Sequence, residues 1–181
     1  MLEVGVSPGL HKNEVALTPS EGRAHFGAWV IVSSPLVLGL DVRDAAAMDA
    51  SWAVISNTEA LAVSRAWAGS AGGRVAASAT NVSWPFCGSQ HAQGCEVEDW
   101  EIFAKPLPGG GAALLLLNHL LTAQHLTLDL SSVAGLGCSG GCAVRDVWAH
   151  AALPSVTSAF AADVVGHDSV FVVLSPAAGT R

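Results

Sequence analysis

The stretch Leu17-Thr18-Pro19-Ser20-Glu21, followed by Arg23-Ala24-His25-Phe26, Trp29 and then Ser34-Pro35-Leu36-Val37-Leu38-Gly39-Leu40-Asp41-Val42-Arg43, decides the fold. Thr18 is placed to accept the N-cap role, Pro19 takes the first helical position, and Glu21 the third, so a capping box closes on itself. Pro35 is expected to stop the helix, and residues 35–40 form a short apolar run of strand length. Such a run fits a parallel strand covered on both faces. A capped helix feeding a buried strand with an acid and a base beyond it is one repeat of an α/β barrel.

Working outward, residues 2–5 predict a second short strand, and alanine-rich helical stretches follow over 45–55 and 59–66. The order is βαβα. The pattern changes between Arg65 and Arg74, where residues 68–73 hold Gly69, Gly72 and Gly73. Beyond it, short β runs are predicted over 97–105, 112–118, 125–130, 143–148, 156–162 and 170–174, with a hairpin turn at Pro108-Gly109-Gly110-Gly111 and a further turn over 163–168. That spacing predicts an antiparallel sandwich. The expected division is therefore 1–67 as the end of a (β/α)8 barrel, 68–73 as linker and 74–181 as a β-sandwich domain.

At 181 residues, 51% hydrophobic and 13% charged, the chain has enough apolar material for one good core and part of another. A net charge of −7 with eight Lys and Arg excludes a nucleic-acid role, which needs a basic stripe to meet phosphates. No apolar run approaches the ~20 residues of a membrane helix, so no membrane partner is expected. The N-terminus shows neither a basic region nor an apolar signal core, and any export signal is expected upstream of Met1.

Several ordered blocks carry a resemblance. Met1-Leu2-Glu3-Val4-Gly5, the Leu-Thr-Pro-x-Glu-x-Arg-Ala-His-Phe and Ser-Pro-Leu-x-x-Gly-x-Asp-x-Arg blocks, Ser56-Asn57-Thr58-Glu59-Ala60-Leu61-Ala62-Val63, Trp100-Glu101-Ile102-Phe103-Ala104-Lys105-Pro106-Leu107 and Val144-Arg145-Asp146-Val147-Trp148-Ala149-His150 closely resemble α-galactosidases of glycoside hydrolase family 27. These are the melibiases, a family that includes α-N-acetylgalactosaminidases. Residues 83–96 and the tail after Pro176 lie outside the resemblance. It implies a retaining hydrolase of terminal α-galactosides with two carboxyl groups about 5 Å apart. In the family the nucleophile sits in a Lys-Tyr-Asp type segment and the acid/base is an Asp just beyond an Arg. This chain has no tyrosine, and Met1 matches the methionine of an Asp-Pro-Asp-Met-Leu segment. Both carboxylates therefore belong to earlier strands, and the resemblance implies a C-terminal portion of a longer parent, without turnover alone. Met1 matches a residue lining the galactose pocket. No catalytic residue and no cofactor is assigned.

Short loops with paired cysteine ends suit disulfides, here Cys138 with Cys142 and Cys87 with Cys95, and disulfides persist in oxidising compartments. The Cys138-x-x-x-Cys142 pair also resembles a cystine loop of animal-type family members. A zinc site of Cys87, His91 and Cys95 with Cys138 or Cys142 stays open as the alternative, although structural zinc favours tighter pairs. Asn81-Val82-Ser83 is a glycosylation sequon. The expected compartment is extracellular, lysosomal or vacuolar, and homodimer formation is left open.

Other polar and aromatic residues have structural readings. Asp41 and Arg43 are expected to form an ion pair or helix cap, and Glu3 a solvated strand-end group. His25 and Trp29, one helical turn apart, should pack on one face, while His119, His125 and His167-Asp168 are expected in surface loops. Trp84, Trp100 and Trp148 are expected to fill the sandwich core, the alternative being a sugar-stacking platform on a non-catalytic carbohydrate- or partner-binding module. Two barrel units alone leave open edges, so residues before about Ala68 are expected to be unstable in isolation and the β domain to fold.

Overall fold

The computed structural model describes residues 1–6, 16–84, 95–138 and 140–177. Three helices come first: α1 (Pro19–Ile31), α2 (Ala45–Ile55) and α3 (Thr58–Arg65). Ten strands follow: β1 (Gly73–Ala77), β2 (Asn81–Trp84), β3 (Cys95–Glu98), β4 (Trp100–Leu107), β5 (Gly111–Asn118), β6 (Gln124–Asp129), β7 (Cys142–Asp146), β8 (Ala151–Val156), β9 (Ala159–Val164) and β10 (Ser169–Pro176).

The capping box forms as the sequence requires: the Thr18 hydroxyl accepts from Glu21 N–H and the Glu21 carboxylate accepts from Thr18 N–H at 2.8 Å. The other end of α1 differs from expectation. Pro35 does not end the helix. Ser33 enters the left-handed region at φ 59°, while Ser33 N–H reaches Val30 O and Ser34 N–H reaches Trp29 O at 3.2 and 3.1 Å. This pair of bonds is a Schellman motif, which satisfies the last carbonyls before the proline is met. The two predicted barrel strands reduce to one parallel bridge, Leu2 to Leu38, with Leu2 N–H on Val37 O at 2.7 Å and Gly39 N–H on Leu2 O at 3.0 Å. Among the described residues each of these segments pairs only with the other, so the ladder stays at a single bridge.

The β half is a sandwich. One antiparallel sheet runs β1-β4-β5-β10-β7-β8, and β6 with β9 covers one face of it. Ile102, Leu114, Leu116, Val144, Val172 and Leu174 from the large sheet meet Leu126, Leu128, Phe160 and Val164 from the small one. The opposite face carries Ala113, Leu115, Leu117 and Phe171, and these pack on Phe26, Val30 and Ile31 of α1, Ala60 and Val63 of α3, and Leu2 and Val4. The period-2 alternation of β5 therefore sorts its side chains into two cores, and all eight of its residues are buried. A continuous apolar run in an antiparallel strand has this cause: a helical layer covers the face that usually meets water.

Three predicted β boundaries are corrected. Residues 97–105 are divided at Asp99, which ends β3 and starts β4 in different sheets. Residues 156–162 are divided by a bend at Thr157 and Ser158, so that β8 extends the large sheet while β9 joins the small one. Gly73, read as linker, opens β1, an edge strand. Pro154 sits in β8, the opposite edge, where its missing N–H breaks no ladder. Among the described residues no helix is long and apolar enough to cross a membrane.

Candidate functional site

The barrel part presents a rim built on the Leu2–Leu38 bridge. Leu2 is buried, whereas Met1, Val37 (53%), Leu38, Val42 and Trp52 (56%) are exposed. Eleven residues of α2 bury only Ser51, although the helix is alanine-rich and holds Met48, Trp52, Val54 and Ile55. Such a helix leaves an apolar surface largely uncovered. Asp41 and Arg43 at this rim form the expected bidentate ion pair, Nε to Oδ1 at 2.9 Å and Nη2 to Oδ2 at 2.8 Å, while Asp44 caps α2 through Ala47 N–H.

The rim is tied to the sandwich by polar clamps. Arg23 on α1 holds Asp168 just before β10. Asn57 caps α3 by accepting from Glu59 and Ala60 N–H, and donates across the seam to Val147 O at 2.8 Å. Glu59 accepts from Arg145 at 2.7 Å and meets His150 at 2.9 Å. Those hydrogen bonds, Arg145 first, pull its carboxyl down to about 2 from an ordinary 4.5, against burial, which pushes it up. This contribution is complete above about pH 4.5 and is lost as the pH falls through about 2. Lys105 of β4 is wholly buried and donates to Val63 O and Ser64 O at 2.6 and 3.1 Å. Its ammonium thereby closes the C-terminal end of α3, where the helix dipole favours a cation. Burial lowers its pKa.

A cavity of about 320 Å³ opens in the same seam. Glu21, Ala24, His25 and Ala28 of α1 line one wall, Val97, Leu117 and Asn118 another, and His119, His167 and Asp168 the rim. His119 and His167 lie in a loop and a turn, as expected, but half-buried at a junction between layers. His119 stands 3.6 Å from Glu101, and His167 meets Glu21 at 3.3 Å. Burial lowers the His119 pKa against the pull of Glu101 and Glu98. No local spacing announces this grouping, because it is assembled from distant parts of the chain. His125 lies exposed on β6 and pairs with Asp163 of β9 at 2.7 Å.

His25 and Trp29 share a face as predicted, ring centroids 5.9 Å apart. Trp148 packs edge-on against Phe171 at 5.3 Å and donates Nε1–H to Ser169. Trp100 packs partly buried against the sandwich core. The side chain of Trp84 lies outside the described residues. Cys138 and Cys142 form a disulfide with Cα atoms 5.2 Å apart, and Cys95 is also disulfide-bonded. Cys87 and His91 lie outside the described residues. With Cys95, Cys138 and Cys142 oxidised, the zinc alternative lacks two of its four ligands, Cys95 and whichever of Cys138 or Cys142 would join it. Asn81 stands exposed at the start of β2.

The geometry defines a class: N-terminal helices beside one parallel bridge, packed through a shared core on an antiparallel sandwich. Residues 97–174 match the family described as the alpha galactosidase C-terminal beta sandwich domain. The chain is 32% identical over 177 residues to an alpha-galactosidase of Coffea arabica, covering 97% of this chain and 39% of that protein. Alpha-galactosidase I from Mortierella vinacea shares the fold at a TM-score of 0.72 with 21% identity, over 95% of this chain and 39% of that one. A family 27 β-L-arabinopyranosidase from Geobacillus stearothermophilus does so at 0.72 with 23% identity, over 93% and 33%. The chain corresponds to the C-terminal region of the α-galactosidases of glycoside hydrolase family 27. It spans about two fifths of the coffee protein's length.

Proposed function

We propose that this chain supplies the last two βα units and the sandwich of a retaining glycosidase acting on terminal α-galactosides, and that it has no turnover alone. The observation that carries the reading is the rim, where Val37, Leu38, Val42 and Trp52 lie exposed beside a single parallel bridge. Such a surface fits the remaining strands of a barrel. Met1 on that rim then forms part of the galactose-binding wall. The carboxylate nucleophile and the acid/base come from the earlier strands. The module alternative needs exposed indoles on the sandwich, whereas Trp100 and Trp148 pack inward. Export agrees with the disulfides, and Asn81 then carries the glycan.

The test is hydrolysis of an aryl α-galactoside, with the pure chain and with the same chain joined behind the upstream barrel portion of the coffee enzyme. The joined protein should turn over and the isolated chain should not. Turnover by the isolated chain, or none by a folded joined protein, overturns the reading.

A further inference from the structure

Successive backbone groups of an extended segment point to opposite sides. Leu2 spends both of its groups on the neighbouring segment, through Val37 O and Gly39 N–H. The next N–H, that of Glu3, is directed away from that neighbour and needs another acceptor. It finds the Nε2 of His25, at 3.1 Å, on α1. A backbone N–H can only donate, so Nε2 must carry its lone pair and the ring proton sits on Nδ1. An imidazolium cannot accept this bond.

We propose that His25 is the positioning residue that fixes the segment bearing Met1 and Glu3 against the barrel helix, and that it does so only while its imidazole is neutral. The consequence for sugar binding rests on the reading of Met1 as part of the galactose wall. The latch itself does not. Leu2 and Val4 are buried under the same helix, so the hydrogen bond sets the alignment of a segment that packing already holds near α1. The neighbours keep the ring neutral at ordinary pH. Burial lowers the His25 pKa first, the Glu3 carboxylate pulls it up, and the Met1 amino group pushes it down. On its own helix it shares the cavity with Glu21, and across the seam it faces His119, His167 and Asp168, the last neutralised by Arg23. Trp29 covers one face of the ring. The hydrogen bond is therefore complete above the ordinary imidazole range and is lost as the pH falls through the lower value of the folded protein.

The test is hydrogen exchange and NMR on the whole chain. In the wild type the protection of the Glu3 amide should fall with acid, by about tenfold for each unit separating the held imidazole from a freed one. His25→Gln, whose amide oxygen reaches the same place without titrating, should keep the protection and lose the pH dependence. His25→Ala should lose protection at every pH. A scalar coupling between the Glu3 amide nitrogen and His25 Nε2, seen at neutral pH and lost in acid, reports the bond in the wild type even if the alanine variant fails to fold. Superimposable pH profiles for wild type and His25→Gln, full Glu3 protection in a folded His25→Ala, or no coupling at neutral pH each overturn the proposal. None of these readouts depends on galactoside turnover, so failure of the glycosidase reading and failure of the latch are separate results.

Discussion

Single residues hold the two layers together, and two of them make sharp predictions. Lys105 donates to the last carbonyls of α3 at Val63 and Ser64, and its side chain is fully buried. Lys105→Met keeps most of the volume and removes the cation. The carbonyls lose their donor, which costs about 1–3 kcal/mol, part of it offset because no ammonium is then buried. The expected net loss, about 1 kcal/mol, is measured by urea denaturation, with hydrogen exchange in α3 rising first. An unchanged midpoint counts against the capping role. Ser33 is the reverse case. It stands in the left-handed region, and its hydroxyl is buried without a partner among the described residues. Ser33→Gly removes both costs, and the protein should gain about 1 kcal/mol in the same measurement despite the added freedom of the unfolded chain.

At the scale of elements, the helix–sheet contact depends on close approach. A Cβ on Gly27 would lie 2.7 Å from Leu115 Cδ1 and 3.3 Å from the Trp148 ring. Gly27→Ala improves helix propensity by about 1 kcal/mol and collides with a fully buried leucine, so it should be near neutral to mildly destabilising. Gly27→Val adds a branch at the same place and should cost at least about 2 kcal/mol in the midpoint of thermal unfolding, by pushing α1 off β5. The elements also show what a sequence makes legible. The capping box, α2, α3, β5 and the Pro108–Gly110 turn are written in adjacent residues, and each was readable because its cause is local. The β3/β4 and β8/β9 divisions were not, since Asp99 and Thr157-Ser158 carry no strong turn signal and only the choice of sheet separates the strands. Only the first residue of β1, Gly73, falls in the stretch read as linker, because Gly72 and Gly73 mask the start of the strand; in the fold, a Cβ on Gly72 would lie 2.4 Å from Ile31 O. The grouping of the seam histidines is not legible for the same physical reason: Glu21, His119 and His167 become neighbours only when α1 docks on the sheet.

The whole molecule is one body with two cores that share a sheet, and this bears on how it unfolds. Residues 74–181 alone would expose Ala113, Leu115, Leu117 and Phe171 to water. That excised sandwich should therefore melt below the full chain and associate on concentration, as light scattering will show; a monomer equal in stability to the whole chain would mean that the helical layer adds nothing. The rim has the complementary exposure. Its uncovered Val37, Val42 and Trp52 should bind an apolar dye, and the signal should vanish when the upstream barrel strands are supplied on the same chain.

β5 is apolar toward both layers, and its alignment is therefore not protected by the usual penalty. Sliding an ordinary half-buried strand by one residue turns its greasy side to water and is punished at once. Sliding Ala112 to Leu117 by one residue merely exchanges one oily neighbour for another. The strand must be kept in place by its ends: at one, the Asn118 amide grips the carbonyls of Thr122, Val164 and Val165; at the other, Gly111 leaves no room beside Leu174 O for anything larger. Two small fixtures, one polar and one steric, thus decide whether the helical layer and the sandwich face the same way when the chain first folds.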